Sequence, residues 1–386
     1  MSNSNQEKWY AKLIDASLPI FATVAALLVG AVMLLLLKVN PIEAYKAMWD
    51  GAFGSQNAIA ETLVKATPLL LVGLGICISF RGDVINIGGE GQMIVGALLG
   101  TLVGLTLVDW PGWALIPLAL LAGFLGGAIW GGIPGFLKAY FNVNEILSTV
   151  MMNAIAVQLM NFLLRGPMID PSQAELASKI PQTARLMDNF RLPRWVPTRL
   201  HLGAIIAVGL AILVYFLLWR TTWGYRIRAV GQNPDASRYA GVKVKNYVVL
   251  ALVLSGAFAG LAGVMQVYGV NYRMITDGSA SGFTGSAGFN GIVAALFGQL
   301  HPIGTIPASI LFGALLVGAN KMQRVVQVPS ALITALNGLV VVFVVSSEIW
   351  RRRRQRRRLA AAAFEGEGIQ PGEPDQDSIP DQEEVV

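Results

Sequence analysis

Four polar side chains interrupt an apolar part of the chain at residues 81–92, which read RGDVINIGGEGQ: Asp83, Asn86, Glu90 and Gln92. Carboxylate and amide groups can hydrogen-bond a polar solute, but they are costly in lipid unless they face protein or water. Short apolar segments interrupted by glycine are typical of transport sites in membrane proteins, and three glycines stand between Asn86 and Gln92. We therefore expect Asn86, Glu90 and Gln92 to line a solute path, with an ordinary interfacial turn as the alternative.

A second polar interruption lies at residues 278–290, which are rich in Gly and Ser and place Phe289 and Asn290 at the start of another short apolar segment. Two such broken hairpins suggest an internal structural repeat. The sequence NVNEILSTVMMN at residues 142–153 brings Glu145 and Asn153 into a further helix. Because an amide within a spanning helix is costly in lipid, we expect Asn153 to face a cavity, whereas Glu145 suits a structural role near the helix start.

A short polar segment, GQNPDASRYAG at residues 231–241, has the signals of a small capped helix. Asparagine suits the N-cap, proline the first helical position, aspartate the positive end of the helix and glycine the position after its end. A helix of about two turns is marginal alone in water, so we expect it to dock into a cytoplasmic protein; a capped connector is the alternative. The docking residues are Asn233, Pro234, Asp235, Ala236, Ser237, Arg238 and Gly241.

Groups for covalent, metal or nucleotide chemistry are missing from the sequence. The phosphate-binding motif GxxxxGK[ST] does not occur, nor do HExxH or GxSxG. The single cysteine, Cys77, lies in an apolar stretch, and His201 and His301 are isolated, so we predict no catalytic residue and no metal site. Each histidine is expected to be a local hydrogen-bond partner.

The composition indicates a protein whose solvent is lipid. Hydrophobic residues make up 54% of the chain and charged residues 13%, against roughly a quarter charged in an average soluble domain. The predicted fold class is all-α: a polytopic membrane protein with about ten spanning or half-spanning helices. The clear spans are 18–37, 113–137, 146–164, 202–219, 248–268 and 331–347, and the broken pairs are 68–80 with 93–108 and 289–300 with 306–319.

Positive charge predicts the orientation of the chain in the membrane. The loop 220–245 and the arginine-rich run 351–358 should both be cytoplasmic, because Lys and Arg in short loops favour that side. Even numbers of spans then place both termini inside and the loop 166–200 outside, although that loop also carries arginines. The N-terminal residues 1–17 are expected to be a cytoplasmic leader of the transmembrane domain 18–350.

Two further segments have distinctive compositions. Residues 42–66 are predicted to be an extracytoplasmic amphipathic segment, lying along the membrane surface or packed on the protein. The tail 351–386 is first basic and then acidic, and we expect it to be disordered. Its arginines suit an anchor to anionic lipid better than a nucleic-acid site.

Four motifs in order resemble those of bacterial ABC importer permeases of the branched-chain amino acid, ribose and nucleoside type. They are FRGDVINIGGEGQ at 80–92, NVNEILSTVMMNAIA at 142–156, GQNPDASRYAG at 231–241 and GFNGIVAALFG at 288–298. The N-terminal NPIEAYKAMWDGAFG at 40–54 is similar to the nucleoside branch, which works with a basic-membrane-protein-type lipoprotein. The chain departs from the usual pattern at Arg81-Gly82-Asp83, where a small residue and glycine are usual.

The resemblance implies a permease in the bacterial plasma membrane that carries no cofactor and is not itself an enzyme. It implies three protein partners: a cytoplasmic ATPase that binds ATP and Mg, a second permease subunit, different or identical, and an extracytoplasmic binding lipoprotein. Membrane lipid is a further expected partner, through the arginine run 351–358. Residues 233–241 would be the coupling helix, and the segments holding Asn86, Glu90, Asn153 and Asn290 would line the path. Transport of simple sugars such as ribose or galactose is one alternative, and a secondary transporter that uses Glu90 is another.

Overall fold

The computed structural model describes residues 24–329, apart from 175, 177–178 and 196–197, together with 335, 338–339, 342–343 and 346. In this part of the chain every regular element is a helix, and the only β-structure is two isolated bridges. The all-α prediction is therefore confirmed. The predicted N-terminal leader, most of the last span and the tail 351–386 lie outside the described residues.

The helices follow one another with short connections. In chain order they are α1 Val24–Leu36 (its described part), α2 Pro41–Phe53, α3 Gln56–Arg81, α4 Gly89–Thr106, α5 Gly112–Phe141, α6 Glu145–Arg165, α7 Pro171–Ala174, α8 Gly203–Arg220, α9 Thr222–Gln232, α10 Pro234–Tyr239, α11 Val244–Gln266, α12 Ala280–Thr284, α13 Ala287–Phe297 and α14 Pro302–Val326. Helix α11 continues into a π-helical turn, Val267–Asn271, and a 3-10 turn occupies Asp188–Phe190.

Six helices in the described residues are long and apolar enough to cross a membrane: α3, α5, α6, α8, α14 and α11 with its continuation. A helix of 18 residues reaches about 27 Å at 1.5 Å per residue, so α4 is close to a full span, whereas α13 has only 11 residues and is a half-span. The chain is a multi-pass membrane protein, as predicted.

Helix α11 lies at the centre of the bundle and packs against α3, α4 and α5. Small residues bring these helices together: a Cβ at Gly96 would lie 2.3 Å from the Cα of Gly260, and a Cβ at Gly127 would lie 2.1 Å from the carbonyl oxygen of Gly256. Without a hydrophobic driving force between helices in lipid, such close backbone contact is a main source of association. Three pairs of glycines four residues apart are packing positions: Gly96 with Gly100, Gly127 with Gly131, and Gly256 with Gly260.

Two segment boundaries differ from the sequence analysis. The segment 68–80 is not a short half-span, because α3 extends over 26 residues and carries Pro68 in its interior. In the N-terminal half of α3 the Thr67 hydroxyl donates to the Leu63 carbonyl at 2.8 Å, and the Thr62 hydroxyl donates to the Ala52 carbonyl at 3.0 Å. Hydropathy underestimates the length of a spanning helix whose polar side chains form such hydrogen bonds within the protein. The segment 306–319 likewise belongs to the 25-residue α14.

The segment 42–66 is also divided. Ser55 caps α3 by accepting a hydrogen bond from the Ala58 N–H at 3.1 Å, so residues 56–66 belong to a spanning helix. Helix α2 packs on α14, and its exposed side carries Ile42 and Trp49. Small residues, not the large apolar ones, form its buried face.

Candidate translocation site

A closed network of three polar side chains fills the turn between α3 and α4. The Asn86 side-chain amide donates to Gln92 Oε1 at 2.9 Å and to Ser255 Oγ at 2.7 Å, and Asn86 Oδ1 accepts from Gln92 Nε2 at 3.1 Å and from the Gly88 N–H at 2.8 Å. All three residues are at most 1% exposed. A buried polar network of this kind fixes backbone geometry because an unpaired member would cost the full desolvation of its polar group. The turn is therefore held rigidly inside the protein.

Asn153 holds the same turn from α6. Its Oδ1 accepts from the Gly91 N–H at 2.8 Å and its Nδ2 donates to the Ile87 carbonyl at 2.9 Å. Gly88, the N-cap of α4, has no side chain, so Asn153 supplies the missing cap from another helix. The amide predicted to face a cavity is instead bonded to the backbone of residues 87 and 91. Whether Asn153 also lines the path stays a prediction.

Glu90 connects the polar turn at residues 81–92 with the start of α13. Its Oε1 accepts from the backbone N–H of Phe289 at 3.2 Å, and the residue is only 2% exposed. The other carboxyl oxygen, Oε2, is buried without a hydrogen-bond partner among the described residues. Gly288 permits this approach, because a Cβ there would lie 2.5 Å from the Glu90 backbone nitrogen. The starts of α4 and α13, each with a positive dipole end, thus meet at one carboxyl group.

The remaining predicted residues lie on the outer side of this junction. The Phe289 side chain is 49% exposed, and Asn290 beside it is half-buried. Glu145 forms a 2.8 Å ion pair with Lys138, which agrees with its expected structural role. The structure therefore brings Asn86, Glu90, Gln92, Asn153 and the Phe289 backbone into one cluster.

Three contributors to the cluster were not predicted from the sequence: Thr149, Ser255 and Gly288. The Thr149 hydroxyl lies 3.4 Å from the Ile87 nitrogen, and Ser255 bonds to Asn86. Ser255 stands one residue before the packing glycine Gly256, which is a weak signal that a polar group enters a close helix contact. Thr149 and Gly288 lay within motifs already singled out.

The predicted docking helix has the local structure expected of it. Asn233 caps α10 by accepting from the Ala236 N–H at 2.9 Å, Pro234 occupies its first turn, and Gly241 has φ +79° after its end. The helix has six residues, which is slightly less than two turns. Asp235 and Arg238 are exposed and 3.7 Å apart, whereas Ser237 is buried. A groove of about 970 Å³ lies beside α10, between α9 and α11.

Helix α9 links α10 to the polar turn. A Cβ at Gly231 would lie 2.2 Å from the Arg81 carbonyl oxygen and 2.9 Å from the Asp83 nitrogen, so the end of α9 lies directly on the backbone of the turn. The Arg81 side chain reaches the segment that follows α13, with Nε 3.3 Å from the Leu300 carbonyl and Nη2 3.4 Å from the Gln299 carbonyl. Its guanidinium also lies 5.3 Å from the centre of the Trp219 ring.

Both histidines occupy local structural positions. His201 Nδ1 accepts from the Gly203 N–H at 3.1 Å, which confirms the expected local role, and burial together with the nearby Arg194 lowers the pKa of His201 to about 4. His301 contacts the rings of Tyr215 and Trp219, and partial burial and Arg81 lower its pKa. Among the described residues no group of three His, Cys, Asp or Glu side chains is placed to hold a metal ion.

This arrangement defines an integral membrane protein of the transport class: buried polar backbone between broken helices, with a small capped helix beneath it. The chain belongs to the family described as branched-chain amino acid transport system / permease component, which matches residues 58–345. It is therefore a permease subunit of an ABC importer, and the predicted resemblance is confirmed.

Several ABC transporter permeases are similar to most of this chain. The guanosine ABC transporter permease protein NupP of Bacillus subtilis is 37% identical over 336 residues, 87% of this chain and 94% of NupP. The glucose ABC transporter permease protein TsgB13 of Haloferax volcanii is 34% identical, covering 86% and 88% of the two chains. A second B. subtilis protein, the guanosine permease NupQ, is 33% identical over 66% of this chain and 79% of its own. No solved structure is significantly similar to this chain.

Proposed function

We propose that this permease moves nucleosides into the cell by alternating access, driven by a separate ATPase. The Glu90 to Phe289 hydrogen bond carries the proposal, because it joins the two broken helical regions at one buried point. Two helical regions joined by this bond can move as one unit when the cytoplasmic end of the helix bundle is displaced. The choice of nucleoside rests on the similarity to the guanosine permease NupP over 87% of the chain.

In this proposal the polar cluster is the scaffold of the path, and its exposed neighbours form the wall. Asn86, Gln92 and Asn153 hold the turn, while the exposed side chain of Phe289 and the half-buried Asn290 lie beside it. Gln158, near the middle of α6, is also exposed, and an amide in that position is costly in lipid. A polar path covered by a second permease subunit would satisfy it.

The proposed assembly contains two permeases, cytoplasmic ATPases that bind ATP and Mg, and an extracytoplasmic binding lipoprotein. Two different B. subtilis guanosine permeases resemble this chain, which supports a heterodimer. The exposed residues of α10 would contact the ATPase. The groove beside α10 would form the recessed part of the contact surface. The arginines at 351–358 would bind anionic lipid.

Reconstituted transport tests the proposal. The permeases, ATPase and binding lipoprotein are co-purified, placed in proteoliposomes and assayed for ATP-dependent uptake of labelled guanosine, with glucose and ribose as competitors. Guanosine uptake that glucose does not inhibit is expected. Ala236→Pro removes the N–H that Asn233 caps, so it should abolish uptake while the protein remains in the membrane. Normal uptake in this variant would remove the coupling role of α10.

A second candidate substrate class is sugars, favoured by the 34% identity to the glucose permease TsgB13. ATP-dependent uptake of glucose or ribose that guanosine does not inhibit would establish it. A secondary transporter is a third class, and Glu90 is its natural proton acceptor. Uptake driven by a proton or sodium gradient without an ATPase would establish that class and overturn the proposal.

A further inference from the structure

Two guanidinium groups lie against one tryptophan ring at the C-terminal end of α8. The guanidinium carbon of Arg81 is 5.3 Å from the centre of the Trp219 ring, and that of Arg228 is 5.6 Å from the same centre. Arg81 ends α3 and Arg228 belongs to α9, so three helices meet at this ring. Each cation–π contact is favourable, but two like charges at one ring repel each other. An anion bound beside the two guanidinium groups would offset this repulsion.

Arg228 has hydrogen-bonding capacity that the described part of the chain does not use. The residue is half-buried, and its Nε is buried without a hydrogen-bond partner among the described residues. No carboxylate in that part of the chain forms an ion pair with it either. A guanidinium carries five N–H donors in a planar arrangement that fits the oxygens of a carboxylate or a phosphate. Because an unpaired buried donor is costly, Arg228 indicates an acceptor that comes from outside the chain.

The other groups at this ring are held in place by the protein. Two backbone carbonyls after α13 accept hydrogen bonds from Arg81 at 3.3 and 3.4 Å. The rings of Tyr215 and His301 pack against the Trp219 ring, with distances of 5.5 and 4.9 Å between ring centres. Groups that are already in position bind a ligand with a smaller loss of entropy. Arg81 and Trp219 therefore form a fixed frame for a ligand of Arg228.

The position of the ring in the membrane favours a lipid as that ligand. Trp219 lies in the last turn of the spanning helix α8, where tryptophan commonly sits at the level of the lipid headgroups. Ile212 and Phe216 stand seven and three residues before Trp219, so they share its helix face, and both are exposed. This apolar face can carry acyl chains, which a free phosphate ion does not have. The loop 220–245 that follows is cytoplasmic in the predicted topology.

We propose that Arg228 and Arg81, arranged around Trp219, bind the phosphate of an anionic phospholipid from the cytoplasmic leaflet, with its acyl chains along the exposed face of α8. Two positive charges favour a lipid with a net negative headgroup over a zwitterionic one. Helix α9 continues from Arg228 to Gly231, which lies on the Arg81 backbone, so the lipid would hold α9 against the end of α3. Binding here is separate from the arginine run 351–358 and independent of which solute is moved.

Lipid titration of the purified importer tests the proposal. The complex with the full permease chain is stripped of lipid in detergent and titrated with dioleoylphosphatidylglycerol, and bound lipid is counted by native mass spectrometry. We expect the affinity for the first lipid to fall roughly tenfold in Arg228→Gln, which loses a charge-assisted hydrogen bond. Arg228→Lys keeps the charge without the planar fork and should lose less. Arg220→Gln is the matched control, because Arg220 is exposed next to Trp219 and should bind lipid like wild type.

Thermal unfolding separates lost binding from misfolding. Phosphatidylglycerol should raise the Tm of wild type and of Arg220→Gln, but leave that of Arg228→Gln unchanged. If Arg228→Gln does not fold, Arg228→Lys takes its place, and wild-type affinity in that variant would overturn the proposal. Equal losses in Arg228→Gln and Arg220→Gln, or phosphatidylcholine bound as tightly as phosphatidylglycerol, would do the same. Inorganic phosphate that raises the wild-type Tm as far as the lipid does would indicate a site for free anions and would also overturn it.

Discussion

The Glu90 carboxyl accepts a hydrogen bond from the Phe289 backbone N–H, 3.2 Å away, although 199 residues separate them. Ser286, the N-cap of α13, provides no side-chain cap of its own, so Glu90 supplies it from α4. Asn153 serves α4 in the same way. The chain of caps therefore runs from α6 through α4 to α13, and α4 and α13 each depend on a neighbouring helix for the first turn.

Two substitutions can separate the role of Glu90 as a hydrogen-bond acceptor from the role of its charge. Glu90→Gln keeps an oxygen that can accept from Phe289, whereas Glu90→Ala removes it, at a cost of about 1 kcal/mol in stability. We expect uptake close to wild type in Glu90→Gln and strongly reduced uptake in Glu90→Ala, measured in proteoliposomes with thermal unfolding alongside. Equal loss in both variants would show that the carboxylate charge is essential.

Asn153 should tolerate no substitution that breaks its contact with Ile87. Asn153→Asp keeps the acceptor for Gly91 but cannot donate to the Ile87 carbonyl, and it places a charge in a half-buried site. We expect both Asn153→Asp and Asn153→Ala to lower the free energy of unfolding by about 1–3 kcal/mol, measured in detergent. Asn290→Ala, whose side chain lies outside the cluster, is the control and should unfold like wild type.

The contact between α9 and the polar turn predicts a steric uncoupling variant. Gly231→Val must displace Arg81 and Asp83, because a Cβ there would lie 2.2 Å from the Arg81 carbonyl oxygen. We expect ATP hydrolysis by the assembled complex to persist while uptake is lost. Gly209→Val is the matched control, since a Cβ at Gly209 meets nothing within 4 Å. Uptake that survives in Gly231→Val would mean that the turn need not keep this position.

Arg81 should act as a positioning residue between the polar turn and the segment that follows α13. Arg81→Met keeps the length of the side chain but loses the contacts with the Gln299 and Leu300 carbonyls. We expect more ATP hydrolysed per solute moved, with partial recovery in Arg81→Lys. Arg220→Met is the control, because Arg220 is exposed at the C-terminal end of α8 and does not line the groove beside α10. An unchanged ratio in Arg81→Met would contradict this role.

Burial of His201 predicts a dependence of stability on pH. Its pKa of about 4 in the folded state is below the ordinary 6.5, so the unfolded state binds more protons between these values. Stability should therefore fall as pH drops from about 6.5 to about 4, by roughly 2–4 kcal/mol for this group. His201→Asn, which can still accept from Gly203, should reduce the dependence in thermal unfolding at pH 7.5 and 5. An identical pH profile in the variant would contradict it.

Several features were predictable because they depend on local sequence. The cap of α10 by Asn233, its proline and the glycine at φ +79° follow from residue types at fixed offsets. The spans α5, α6, α8 and α11 follow from apolar runs, whereas α3 and α14 are longer than the apolar runs predicted. The limits of α3 were not predictable from hydropathy, since Thr62 and Thr67 satisfy their hydroxyls on nearby carbonyls.

The sequence by itself determined that the chain is helical and membrane-embedded, and which motifs are polar where lipid would exclude them. Only the tertiary structure decided how those groups are paired. Asn86 meets Ser255 across 169 residues and Glu90 meets Phe289 across 199, so no local pattern encodes either contact. Close glycine packing sets the distances between helices, and those distances allow a half-buried amide such as Asn153 to bond to another segment's backbone.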